Sequence, residues 1–257
     1  MRQGEMADRT GRFRQILGVR FFVGNACEAI EEIVRTGGMV VVPAAPALKN
    51  LATDEWYRQA LLSANFAIAD SAFMVLLWNL LQRDYIPKLS GLKYLRALIE
   101  RPDFCEPGAS FWVMPTPKAV SCNLGWLRSK GVPVEHRDVY KAPFYGPTVV
   151  EDSDLLLKLE QRRPAHVVLA LGGGTQEKLG AFLKANLTFN PAIHCIGAAI
   201  AFLSGDQVHI PAWADSMGLG WLFRCAFDPK RFGPRYWDAR HLAPLMLRYR
   251  DRLPIKC

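Results

Sequence analysis

Short apolar runs alternate along the chain with segments in which apolar positions recur every three or four residues. Leu17 to Val23 reads as a first strand, Ala26 to Val34 as a helix ended by Gly37-Gly38, and Met39 to Val42 as a strand buried on both faces. A small-residue loop, PAAPALKNL, leads to a helix over Glu55 to Leu62. Asn65 to Ala69 is then a short buried strand, and Asp70-Ser71 breaks the apolar run before a helical pattern carrying Met74, Leu77, Trp78 and Leu81. Strands are expected again at Ser110 to Met114, His166 to Leu171 and Ile193 to Ile196. Helices are expected at Ala119 to Lys130, Ser153 to Gln161 and the QEKLGAFLKAN segment. The pattern predicts an α/β fold: a Rossmann-like parallel sheet sandwiched by helices.

Past Trp213 the alternation stops. Aromatic and apolar residues mix with arginines, and the sheet pattern does not resume. Trp221, Leu222 and Cys225 fit one face of a helix with Arg224 pointing elsewhere, and Leu242, Leu245 and Met246 begin a second helix with a basic end at 248–252. The division expected is an α/β domain over 1–212 and a basic helical C-terminal appendage over 213–257. Charge supports the division, because nine Lys or Arg stand against four Asp after Trp213, +5 of the chain's net +8. A basic tail on a near-neutral body fits a polyanionic partner, whether nucleic acid, anionic lipid or a phosphorylated small molecule, as well as a merely solvated surface.

With 257 residues, half of them hydrophobic, the chain can bury one sizeable core with an appendage. The polar, charged start MRQGEMADRTGRFRQ resembles no secretory signal, and no apolar run is long enough to span a bilayer, so a cytoplasmic location is expected. Six scattered cysteines without a C-x-x-C pair suit reduced thiols and speak against a zinc site.

Two stretches carry candidate chemistry. Asp70 stands where a strand becomes a helix, and in open α/β sheets the carboxyl ends of strands line the ligand crevice. It suits a general base or substrate anchor there, and equally a helix N-cap. The strand ending at Leu171 runs into Gly172, Gly173, Gly174 and Thr175 and then a helix, a geometry in which backbone amides and a helix N-terminus can cradle phosphate or simply form a tight turn. A third motif, Asp152-Ser153-Asp154, spells the D-x-D of metal-dependent sugar transferases, but its place at a helix start points to capping.

The chain resembles the WecG/TagA/CpsF family of bacterial glycosyltransferases over nearly its whole length. The resemblance lies in Ala64 to Asp70, in ALGGGTQE (Ala170 to Glu177), and in the series from Ile210 to Trp213 through GLGWLFR (Gly218 to Arg224) and DPKRF to Arg235-Tyr236. It implies an inverting, metal-independent transferase without a cofactor, moving a sugar from a UDP-sugar donor to a polyprenyl-diphosphate-linked glycan acceptor in cell-envelope or exopolysaccharide synthesis. By resemblance Asp70 is the base, Gly172, Gly173, Gly174, Thr175 and Gln176 bind the donor or its diphosphate, and Arg224, Arg231 and Arg235 neutralise phosphate. The implied setting is an anionic membrane surface on the cytoplasmic side of the cell membrane, with the protein peripheral to it, no nucleic acid, and a homo-oligomer left open. Departures cluster in the pocket: Ala44 and Ala201 replace polar residues of the family pattern, and Pro234 replaces an arginine. A non-catalytic protein binding a nucleotide-sugar or lipid-linked glycan on the same fold is the alternative.

Overall fold

The computed structural model describes residues 11–207 and 210–256. Its centre is an eight-stranded sheet in the order β1-β2-β4-β3-β8-β7-β5-β6. In the first half, β1 (Phe13–Ile16) and β2 (Val19–Phe22) precede α1 (Ala26–Thr36), β3 (Gly38–Val41), α2 (Ala45–Leu48), α3 (Glu55–Ser63) and β4 (Phe66–Ala67). Then come α4 (Ala72–Gln82), α5 (Gly91–Ile99), β5 (Ser110–Met114), α6 (Pro117–Ser129), β6 (Val139–Lys141) and α7 (Ser153–Arg162). The second half closes with β7 (His166–Leu169), α8 (Thr175–Asn186), β8 (Ala192–Cys195) and α9 (Ala199–Ser204). Every strand pairing is parallel except β1 with β2.

Crossover helices cover both faces, so the central strands are mostly apolar: β3, β5, β7 and β8 are buried along their whole length. Met39 and Val41 face one apolar cluster and Val40 faces the other, as the two-residue period of a strand requires. Helix starts are fixed locally. Asn25 and Glu28 form a reciprocal capping box on α1, while Ser71, Ser90 and Asp152 cap α4, α5 and α7 with their side chains.

The strand expected over Leu17 to Val23 is β2, and β1 before it, which was not expected, pairs with it as a hairpin. Leu17 and Gly18 form its turn with φ of 51° and 77°, and their amides donate to the carbonyls of Arg250 and Asp251. The C-terminal segment is thereby stitched to the opposite end of the chain.

That segment is helical: α10 (Ala212–Ser216), α11 (Gly220–Phe227), α12 (Pro229–Asp238) and α13 (Leu242–Tyr249). Leu242 and Met246 of α13 enter the same apolar cluster as Met74 and Trp78 of α4. In contrast, α11 buries no residue fully. The appendage is anchored at its end and carries exposed surface in its middle.

Candidate active site

Because β4, β3, β8 and β7 are neighbours and parallel, their carboxyl ends bring four loops to one edge of the sheet. These are the segments at Asp70, at Ala44-Ala45, at Gly197 and at Gly172 to Gly174. This edge is where an open α/β sheet places a ligand.

Asp70 does not cap α4, since the cap is the neighbouring Ser71, whose hydroxyl accepts from the amide of Met74 at 3.2 Å. Asp70 instead turns toward α5 and accepts from the amide of Gly91, the first residue of that helix, at 2.9 Å through Oδ1. One carboxylate oxygen is thus oriented while the half-buried side chain lines a cavity of about 560 Å³.

The far wall of that cavity comes from the appendage: Trp221, Arg224 and Cys225 of α11, Tyr236 and Trp237 of α12, and Arg240. Spaced three and four residues apart, Trp221, Arg224 and Cys225 share one helix face. This corrects the expectation that Arg224 points away from its apolar neighbours: Arg224 lines the cavity with Trp221 and Cys225, and Leu222 does not. Arg224 donates to the Tyr236 hydroxyl at 2.9 Å and stacks 4.3 Å from the centroid of Phe202. Its Nε is buried, a donor held in place with no acceptor among the described residues.

Lys88 and Asp215 join beneath this wall. The Lys88 ammonium donates to the Asp215 carboxylate at 3.1 Å and to its backbone carbonyl at 2.6 Å, and the buried Ser90 hydroxyl donates to the other carboxylate oxygen. The sequence offered no sign of this cluster, whose members lie 127 residues apart. Only the fold brings α10 against the start of α5.

A smaller cavity of about 240 Å³ lies on the other side of α12 and shares Pro46 with the first. It is lined by Gly172, Gly173, Gly174, Arg235 and Tyr57, among others, with Arg235 Nη2 about 3.9 Å from the place a Cβ on Gly173 would occupy. Gly174 has φ of 94°, which only glycine adopts without strain. Thr175 opens α8 and is half-buried. Gln176 is turned inward: its Oε1 accepts from the amide of Gly197 at 2.6 Å and its Nε2 donates to Glu177 at 3.2 Å, so it braces the loop from behind and lines neither cavity. Glu177 is fully buried, with Oε2 accepting from the Gly174 amide at 2.6 Å. Burial pushes its carboxyl up, against the pull of those hydrogen bonds and of Arg235. The backbone of Arg231 belongs to α12; its side chain lies outside what the structure describes.

The D-x-D motif is occupied internally. Asp152 caps α7 through the amide of Leu155 and accepts from the hydroxyls of Tyr140 and Tyr145, and burial with that carboxylate pushes the Tyr140 phenol up to about 12. Among the described residues no cluster of His, Cys, Asp or Glu has a metal-binding arrangement, and no helix is long and apolar enough to cross a membrane.

The arrangement offers an oriented carboxylate facing fixed guanidinium groups across an apolar cavity, with a glycine loop alongside. Such a site can remove a proton from a hydroxyl while cationic groups hold an anionic leaving group. The family model for "Glycosyl transferase WecG/TagA/CpsF family" matches residues 14–255, from β1 to the C-terminal segment. No curated protein matches the chain.

Proposed function

The chain belongs to the WecG/TagA/CpsF family of glycosyl transferases, and from that premise we propose that it transfers a sugar from a UDP-sugar to a polyprenyl-diphosphate-linked glycan with inversion, in cell-envelope or exopolysaccharide synthesis. Asp70 takes the proton of the acceptor hydroxyl as that oxygen attacks the anomeric carbon, and UDP departs from the opposite face of the sugar. The observation that carries this reading is the Asp70 carboxylate, oriented by the Gly91 amide and opening into the same cavity as Arg224.

The leaving diphosphate falls to Arg224, with Arg235 of α12 in the adjoining smaller cavity. Fixed positive charge in a water-poor cavity stabilises a developing anion without reorganising. The Arg224 Nε, buried and without a partner among the described residues, is a donor awaiting such an acceptor. The Gly172 to Thr175 loop meets the donor, and Gln176 holds that loop to the end of β8.

The rim fits a lipid-linked acceptor at a membrane face. Leu76 is 66% exposed and Leu80 74%, one turn apart on α4, and Leu76 lines the cavity with Trp221 and Trp237 of the appendage. Apolar and aromatic side chains beside arginines are suited to an anionic lipid interface, which supports a peripheral position on the cytoplasmic face.

The test is UDP release from a panel of UDP-sugars with short-chain polyprenyl-diphosphate-sugar acceptors, wild type beside Asp70→Asn. Acceptor-dependent release that falls by about 10²- to 10⁴-fold in Asp70→Asn is the expected result. Wild-type turnover in the variant removes Asp70 from the role of base, and EDTA should leave the rate unchanged.

A further inference from the structure

The smaller cavity is built differently from the larger one. Its charged lining consists of Lys49 and Arg235 against Asp54 and Asp238, and most of that charge is already paired. Lys49 meets Asp238 at 3.2 Å, and Asp54 meets Lys178 at 2.8 Å. Beneath the loop, the Gly174 amide is spent on the Glu177 carboxyl. A phosphate on this loop would approach the start of α8 at the point where a carboxyl group already caps it. In the larger cavity Lys88 and Asp215 neutralise each other, leaving Arg224 and Arg240 against Asp70 alone.

One polar group in the smaller cavity is unfulfilled. Tyr57 is 1% exposed, lines the cavity, and its hydroxyl has no hydrogen-bond partner. Burial, with Glu177 and Asp54 nearby, pushes that phenol well above its ordinary range, so it remains an O–H donor. At about 240 Å³ the cavity is smaller than the roughly 300–1,000 Å³ that whole ligands of drug size occupy, so it suits one end of a ligand that continues into the larger cavity.

We propose that the smaller cavity holds the uncharged nucleoside end of the donor, with the Tyr57 hydroxyl hydrogen-bonding it, while the diphosphate lies toward Arg224. The planar amide of Asn50, donor and acceptor at once, matches the edge of a base, and the rim carboxylate of Asp238 matches the ribose hydroxyls. Arg235 lines this cavity while Tyr236 and Trp237 of the same helix line the other, so α12 marks the boundary between nucleoside and phosphate. The inference rests on the nucleotide-sugar reading above and sharpens it by dividing the donor between two cavities.

The experiment measures binding of uridine, cytidine, adenosine, guanosine, UDP and inorganic pyrophosphate by ligand-observed NMR and calorimetry, using wild type, Tyr57→Phe and Arg224→Ala. Loss of one buried hydrogen bond corresponds to about a tenfold loss of affinity. Tyr57→Phe should weaken uridine and UDP by that same factor and leave pyrophosphate unchanged. Arg224→Ala should weaken UDP and pyrophosphate and spare uridine. Because the hydroxyl has no partner in the free protein, Tyr57→Phe should keep or raise the Tm, which separates lost recognition from lost folding.

Pyrophosphate weakened by Tyr57→Phe, UDP weakened with uridine untouched, or no nucleoside binding at all would each overturn the proposal. The expected binding pattern with no UDP release in the presence of acceptors would sink the transferase reading and leave the nucleoside site standing.

Discussion

At the scale of single residues, what decides this site is which neighbour takes which backbone amide. Asp70 and Ser71 are both competent N-caps, and the sequence cannot choose between them. The structure gives the cap to Ser71 and leaves Asp70 for Gly91, freeing a carboxylate oxygen for the cavity. The Lys88–Asp215 pair is a different case, legible only in three dimensions. With side chains 18% and 13% exposed, it is mostly withdrawn from water, where losing one partner strands the other. Asp215→Ala removes the carboxylate to which both Lys88 and Ser90 donate and leaves Lys88 only the backbone carbonyl, and we expect a loss of about 3 kcal/mol in urea unfolding. The same variant should become cleavable by protease around α10. Unchanged stability and protection would mean that water replaces the carboxylate without cost and that the pair does not hold the appendage.

At the scale of elements, the strands and crossover helices were readable because burial on both faces leaves a continuous apolar run and caps mark the helix starts. What escaped was structure dictated by distant contacts. The β1–β2 hairpin turns at Leu17-Gly18, with no Asn-Gly or Asp-Gly signal, because the turn amides bond to the C-terminal segment. Helix α12 takes in the P-K-R-F of the D-P-K-R-F motif and an internal Pro234, and on α11 it is Arg224, not Leu222, that joins Trp221 and Cys225 at the cavity. Gly18 offers a test of the docked terminus. A Cβ there would lie 2.6 Å from Leu253 Cβ and 2.9 Å from its Cα, on a backbone with φ of 77°. Gly18→Ala should cost roughly 2–4 kcal/mol, combining left-handed strain with overpacking. Gly131→Ala has a similar φ of 80° with nothing within 4 Å of the added Cβ, so it should cost only about 1–2 kcal/mol. Equal losses in the two variants would show that Leu253 yields freely and that the terminus is not held tightly against the hairpin.

At the scale of the whole molecule, stability and pH are linked through a buried chain that runs across β7 and β8, apart from the cavities at Asp70 and at the glycine loop. The Tyr94 hydroxyl meets His194 Nδ1 at 2.8 Å, and His194 meets His166 Nδ1 at 3.2 Å. Burial pushes the Tyr94 phenol far up, so it is the donor; His194 then presents its other nitrogen as a donor to His166, and both rings are neutral. Desolvation lowers His166 from 6.5 to about 4 and also holds His194 well below its ordinary value. A depressed histidine is neutral in the folded state and protonated in the unfolded chain between those limits, so unfolding takes up protons there. The stabilisation is complete above about pH 6.5 and is lost as pH falls toward 4. Each such histidine contributes a slope of about 1.4 kcal/mol per pH unit. Glu177, whose carboxyl burial raises, works in the opposite sense and gains stability in acid, so the histidine term must be isolated by substitution. Urea unfolding across pH 4 to 7 should give a steep acid loss in the wild type. In His166→Gln, where one titrating ring of the chain is gone, the slope should be shallower by about one proton even if the variant is less stable at neutral pH. Parallel slopes in the two proteins would mean that His166 protonates in the folded state, with the carboxylate of Asp103 near enough to offset the charge.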